Sequence, residues 1–380
     1  MDGPVNPTEP SSRVESGYNQ RMSISKQLRA AGLAAIMIVL AGCGSSSTSG
    51  TTTSGTALTP TPEGGAKTKV VFIPKNTGNP YFKQVGTGFE KAATELNLQF
   101  DTQAPATADA TSQLTVIKDQ VQQGAEVIAI SANSPDALNE VLDQARAKGT
   151  TIVTVDSDLT GNETHRDLGV LPTDFAKVGP SLLELMGKQM NYEGEFAILS
   201  ATTDAPNQNA WIAGIQASLK DAKYAKMKLV EVVYGDDEPQ KSSTEMESLL
   251  TKHPNLRGVL SPTSVGLAAA AQVLENSGLY PGGPKAKGPG ISLTGLSTPN
   301  QLKKAVDKGV VSSFQLWDPA DMGAIAAYLG KQIHDKKLTL KVGDSVDVPG
   351  HGKVTIGDKN IVFAGDLITF DKSNIAKYDY

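Results

Sequence analysis

From Lys69 onward the chain alternates short β-branched runs with segments of helical length, and that alternation leaves few folds open. Lys69–Ile73 (KVVFI) has the composition of a buried strand, and Phe82–Leu96 carries apolar residues at helical spacing. Gln99–Asp101, a helix Ala110–Gln123, a strand Val127–Ile130, a helix Pro135–Lys148 and a strand Thr151–Val155 follow. Strands separated by helices of this length form βαβ units, so a parallel sheet is expected. After Leu168–Val170 the rhythm restarts. Helices over Phe175–Met190, Ala205–Lys220, Gln240–His253, Ser264–Ser277 and Gln301–Lys308 alternate with strands Glu195–Ser200, Lys228–Val233, Gly258–Leu260, Ser292–Thr294 and Val311–Leu316. Two such series predict an α/β chain of two doubly wound parallel-sheet lobes facing each other across a cleft. Roughly 310 residues are available for them, enough for two separate cores.

The N-terminal part reads as an export and anchoring segment. Ala31–Ala41 is an apolar run too short for a bilayer, which needs about 20 residues, and it follows Arg21, Lys26 and Arg29. It closes on Leu40-Ala41-Gly42-Cys43, whose cysteine is the sole one of the chain and precedes a Ser/Thr/Gly tract. Small residues before such a cysteine resemble the lipobox of bacterial lipoproteins. That resemblance implies a signal peptide over 1–42 and a lipidated thiol on Cys43; a single buried cysteine is the plainer alternative. Asp2, Glu9 and Glu15 are foreign to a basic leader, so Met22 is the expected start of translation. Residues 43–67 lack the apolar side chains that offset chain entropy and are expected to be a flexible tether.

Several chemistries find no support. A net charge of -5 without a basic cluster argues against nucleic acid. His165, His253, His334 and His351 share no metal-ligand spacing, and there is no P-loop. Gly295-Leu296-Ser297-Thr298-Pro299 lacks the last glycine of a nucleophile elbow, and Gly86 and Gly88 lack the dinucleotide spacing. No catalysis, cofactor or metal is therefore expected. Asp236-Asp237-Glu238 lacks the alternation of a calcium loop and reads as a solvated turn.

Ligands of parallel sheets sit beyond the carboxyl ends of the strands, and the uncommon residues gather there. Aromatic residues are 5% of the chain, which makes Tyr81, Phe82, Trp211 and Trp317 at strand ends conspicuous. Ser134, Pro135, Thr298 and Pro299 read as turn and capping residues. Carboxylates, amides and aromatic rings at one cleft suit a small molecule that both donates and accepts hydrogen bonds and has an apolar face.

The same strand ends carry a family likeness: Phe72-Ile73-Pro74-Lys75, Asn79-Pro80-Tyr81-Phe82, Val155-Asp156-Ser157-Asp158, Asn207-Gln208-Asn209-Ala210-Trp211, Ser261-Pro262-Thr263 and Leu316-Trp317-Asp318-Pro319. From Lys69 to Tyr380 the chain resembles the periplasmic-binding-protein type I receptors of sugar ABC importers, in the ribose-binding class. Within that class it is most like rhamnose-binding proteins and the autoinducer-2-binding receptors of the Lsr type. The resemblance implies two lobes, 68–171 plus 317–345 and 172–316 plus 346–380, joined by a three-segment hinge that closes on a ligand. It implies Asp156 as acceptor from sugar hydroxyls, Phe82 and Trp317 as stacking rings and Lys75 as a donor. Asn207, Gln208 and Asn209 take the place of a charged residue of ribose-binding proteins, and Pro262 and Ser297 that of an Asn and an Asp. Lsr-type receptors have an aspartate at Asn207 and an alanine at Ser264. Asn79, Tyr81, Asp158, Trp211 and Asp318 complete the expected site, with Asp158 also readable as a capping residue. The implied partners are a small neutral sugar, L-rhamnose before others, importer permease subunits, and the membrane through Cys43, for a monomeric receptor. Autoinducer-2, another small sugar or polyol, or service as sensor partner of a membrane kinase are the alternatives.

Overall fold

The computed structural model describes residues 66–380; Cys43, the leader and most of the tether lie outside the described residues. The first series is β1 (Lys69–Ile73), α1 (Pro80–Glu95), β2 (Gln99–Thr102), α2 (Ala110–Gln122), β3 (Val127–Ile130), α3 (Asn139–Ala147), β4 (Thr151–Val155) and β5 (Leu168–Leu171). The second is α4 (Phe175–Met190), β6 (Glu193–Ser200), α5 (Pro206–Ser218), β7 (Lys226–Tyr234), α6 (Pro239–Lys252), β8 (Leu256–Ser261), α7 (Ser264–Ser277), β9 (Ser292–Gly295), α8 (Pro299–Asp307) and β10 (Ser313–Leu316). Then follow α9 (Pro319–His334), β11 (Ser345–Val348), β12 (Gly352–Thr355), β13 (Ile361–Phe363) and β14 (Ile368–Asp371). Residues 135–138 precede α3 as a turn rather than joining it.

Two sheets result. One has the order β13-β5-β4-β3-β1-β2, and the other β7-β6-β8-β9. All pairings within both are parallel. β1, β3 and β4 are buried almost throughout, as a sheet covered by helices on both faces requires. The second sheet is extended by the antiparallel pair β10-β14, reached through a bridge between Leu296 and Gln315. This is the doubly wound α/β architecture expected.

The strand order reverses between β1 and β3 in one sheet and between β6 and β8 in the other. Each reversal opens a crevice at the carboxyl ends of its strands, because the flanking helices depart to opposite faces. The described chain passes between the sheets after β5, after β10 and after β13. The third passage differs from the boundaries expected above. Ile361 pairs with Gly169 and Phe363 with Leu171, so β13 belongs to the first sheet and the crossing falls after it rather than near residue 345. The cause is the free edge of β5, whose unpaired N–H and C=O groups accept one more short strand.

Close helix packing fixes the geometry of the first sheet's side of the cleft. α1 lies against α9 with Gly88 facing Ala320 and Gly323 facing Val85. A Cβ at either glycine would strike the opposing backbone. The bare helix surfaces therefore bring the N-termini of α1 and α9, with Tyr81 and Trp317, to one end of the first sheet.

Candidate functional site

The two crevices face each other across a cavity of about 40 Å³. On the first wall, Asn79 caps α1 by accepting from the Tyr81 N–H at 3.1 Å, and Pro80 supplies a preset first turn. Tyr81 and Phe82 are thereby held at the end of β1. Asp156 follows β4 in a left-handed conformation, φ 68°, unusual for a residue with a side chain. Its Oδ1 accepts from the Tyr81 hydroxyl at 2.6 Å and its Oδ2 from Ser131 Oγ at 3.0 Å. Trp317 extends the chain by donating from Nε1 to the Tyr81 oxygen at 2.9 Å.

The second wall is set by α5, which begins after β6. Asn207 reaches across: its Oδ1 accepts from Lys75 Nζ at 2.8 Å and its Nδ2 donates to Asp156 Oδ2 at 3.1 Å. Gln208 turns its carbonyl back to β6, accepting from Ser200 Oγ at 2.7 Å and the Ala201 N–H at 2.8 Å. One turn on, Trp211 brings its ring centroid to 5.9 Å from that of Trp317. Its Nε1 is buried and has no hydrogen-bond partner among the described residues. Pro262, Thr263 and Ser264 come from the end of β8, and Ser264 Oγ lies 3.3 Å from Asn79 Oδ1 of the opposite wall. Leu296 and Leu316 add apolar surface.

Lys75, Asn79, Tyr81, Phe82, Asp156, Asn207, Gln208, Trp211, Pro262, Ser264 and Trp317 thus line one cavity. Four expected residues do not. Asp158 forms a buried ion pair with Arg166 at 2.6 Å and also accepts from Thr154 Oγ1 at 2.6 Å, so its carboxylate is consumed inside the first lobe. Arg166 in turn donates to the Lys359 carbonyl just before β13. Asn209 points outward from α5 and donates to the Thr203 carbonyl. Ser297 is buried against Gln301, and Asp318 caps α9 through the Ala320 N–H.

One residue read as solvated is instead in the wall. Asp236 and Asp237 both adopt left-handed conformations, φ 54° and 53°, and the turn they make sends Asp236 out to Lys241 and Asp237 in to Thr263. Asp237 is buried and lines the cavity. Its inward turn could not be read from three consecutive acidic residues.

Burial is the largest influence on every ionisable group here. It pushes Asp156 up, against the Lys75 charge and the Tyr81 and Ser131 hydrogen bonds, and it pushes Asp237 up against Thr263 and Lys75. It pulls Lys75 down, opposed by the fields of Asp156 and Asp237. Burial and the neighbouring Asp156 raise the Tyr81 phenol well above its ordinary value, so it remains a donor. The arrangement offers buried donors and acceptors of both signs around a ring-lined space, which is the means to hold a small polar molecule.

Comparison with known proteins bears on the family to which this fold belongs. The family model described as "Periplasmic binding protein domain" matches residues 70–338. The chain belongs to the periplasmic binding protein family. That places it among extracytoplasmic binding proteins rather than enzymes. A solved ABC transporter solute binding protein from Clostridium phytofermentas with bound L-rhamnose is 31% identical, with a TM-score of 0.76 over 82% of this chain and 98% of that one. A sugar ABC transporter structure from Actinomyces odontolyticus is 37% identical, with a TM-score of 0.64 over 82% of this chain and 97% of that one. The ribose import binding protein of Bacillus subtilis is 22% identical over 53% of this chain and 63% of its own length. The xylose/arabinose-binding protein of Sulfolobus acidocaldarius is 22% identical over 56% of this chain and 53% of its own length. The chain spans about half to two thirds of the length of these curated relatives.

Proposed function

We propose that this periplasmic binding protein is the ligand-capturing receptor of a sugar ABC importer and that its ligand is a small neutral sugar, L-rhamnose before others. The observation that carries the reading is the bridge Lys75–Asn207–Asp156, in which an ammonium, an amide and a carboxylate from facing walls converge on one aromatic-lined cavity. Such groups exchange their mutual hydrogen bonds for those of a polyol at little net cost. Asn207 favours a ligand with a methyl beside it over one that needs a carboxylate at that position, since an amide carries no charge to be desolvated there. The relative with bound L-rhamnose and its 31% identity support the same choice.

In this reading the lobes close about the three crossings, Cys43 anchors the receptor by lipid to the outer face of the cell membrane, and permease subunits receive the closed form. Both tryptophans of the chain line the cavity, so intrinsic fluorescence follows binding. Titration with L-rhamnose, D-ribose and autoinducer-2 should give a fluorescence change and a calorimetric isotherm with L-rhamnose tightest. Tight autoinducer-2 binding with no response to L-rhamnose would overturn the ligand assignment.

A further inference from the structure

Asp237 has a use that its own hydrogen bonds do not exhaust. Its Oδ1 accepts from the Thr263 hydroxyl, and its main-chain oxygen accepts from Asn76 Nδ2 of the first lobe at 3.3 Å. The residue is thus held from both sides of the cleft, its backbone by the first lobe and its carboxylate by the second, while Oδ2 takes no hydrogen bond among the described residues. Lys75 is complementary. Its ammonium is buried and carries three N–H donors, of which one goes to Asn207. Lys75, Asp156 and Asp237 line the same cavity, and neither carboxylate forms a direct ion pair with the ammonium. Their charges act on one another through the intervening space.

An ionised carboxylate can only accept, and an ammonium can only donate. A group that fills the gap between them must accept from one and donate to the other. Hydroxyl does both; an ether oxygen, a methyl group or a second carboxylate does not. Burying the triad without such a group leaves costly unmet hydrogen-bonding capacity.

We propose that Asp237 is a specificity-determining carboxylate of the second lobe, which accepts from a ligand hydroxyl that Lys75 simultaneously donates to. The assignment rests on the sugar reading above and adds to it: the ligand must carry a free hydroxyl on the edge facing the second lobe, in addition to the one read by Asp156. Asp237 then checks that hydroxyl only when both walls are in place, because Lys75 comes from the first lobe and Asp237 from the second.

The test is calorimetry on the folded domain with L-rhamnose, D-ribose, D-arabinose and autoinducer-2, followed by the monodeoxy analogues of whichever binds tightest. Asp237→Asn should weaken that sugar roughly ten- to one-hundred-fold. One monodeoxy analogue should lose as much on the wild type, yet lose less than about threefold further on Asp237→Asn, which identifies the hydroxyl. Asp236→Asn, altering the neighbour that faces Lys241 outside, should bind as the wild type does. Should Asp237→Asn fail to give a cooperative melt, Asp237→Ser carries the same expectation. Wild-type affinity in these variants, or equal losses for every deoxy analogue before and after substitution, overturns the role of Asp237 while the sugar reading stands. Absence of binding by all four compounds overturns the sugar reading and the proposal with it.

Discussion

On the first wall of the cleft the polar groups are tied mainly to one another: Ser131 and Tyr81 donate to Asp156, and Trp317 donates to Tyr81. On the second wall Gln208 is pinned to its own sheet, but Asn207 spends both ends of its amide on the opposite lobe. The first wall is therefore prearranged and the second is completed by approach. A carboxylate that is already hydrogen-bonded in place meets a ligand with little ordering cost, whereas an amide that bridges the walls must give up its protein partners to do so.

That contrast can be broken most forcefully two residues beyond Asp156. Asp158→Ala strips Arg166 of its buried partner and should cost about 3–5 kcal/mol of stability by chemical denaturation. Affinity of the folded fraction should be unchanged, and a lost affinity with stability retained would return Asp158 to the ligand. Within the cleft, Asp156→Ala should weaken sugar binding by about 1.5–3 kcal/mol, and Asn207→Ala by about 1 kcal/mol. Equal losses by calorimetry would erase the difference between a prearranged wall and a bridging one.

The smallest effect lies away from both walls. Glu184 on α4 is clasped by Lys223, Tyr224 and Tyr192, and the Lys223 hydrogen bond leads in holding its carboxyl down at about 2, from an ordinary 4.5. A depressed folded value stabilises above the ordinary one and ceases to do so as pH falls through about 2. Glu184→Gln should cost less than about 1 kcal/mol at neutral pH, since solvent screens the pair, and the difference from wild type should vanish in thermal melts towards pH 2. Sugar affinity should not respond, and a response would tie this cluster to the cleft.

Much of this was readable from the chain before its folding was seen. The βα alternation fixed both sheets because fully buried strands such as VIAI and TIVTV have few other uses. The strand-end aromatics stood out because aromatic residues are 5% of the chain, and Asp156 through the family likeness. α5 shows what finer reading would have added. Asn207, Gln208 and Trp211 share a helical face at i, i+1 and i+4, and Asn209 falls on the other side. Asp158 could not be separated from Asp156 without Arg166, whose partner is set by tertiary approach. Asp237 was hidden by backbone conformation, since two successive left-handed residues reverse the side-chain directions that an acidic run suggests. β13 escaped notice because three residues are too few to establish a period.

The late arrival of β13 and β14 bears on how such a chain is made. The first sheet receives its edge strand only after all of the second sheet's parallel strands have been synthesised, and β14 closes the second sheet later still. Neither half can reach its final hydrogen bonding while the ribosome is still upstream of Ile361. A product stopped at Lys359 would leave the edges of β5 and β10 uncovered and should aggregate more readily than the full chain, as light scattering of the two would show. Both sheets thus keep an edge open until the last twenty or so residues of the chain are made, which ties completion of the two halves to a single late event.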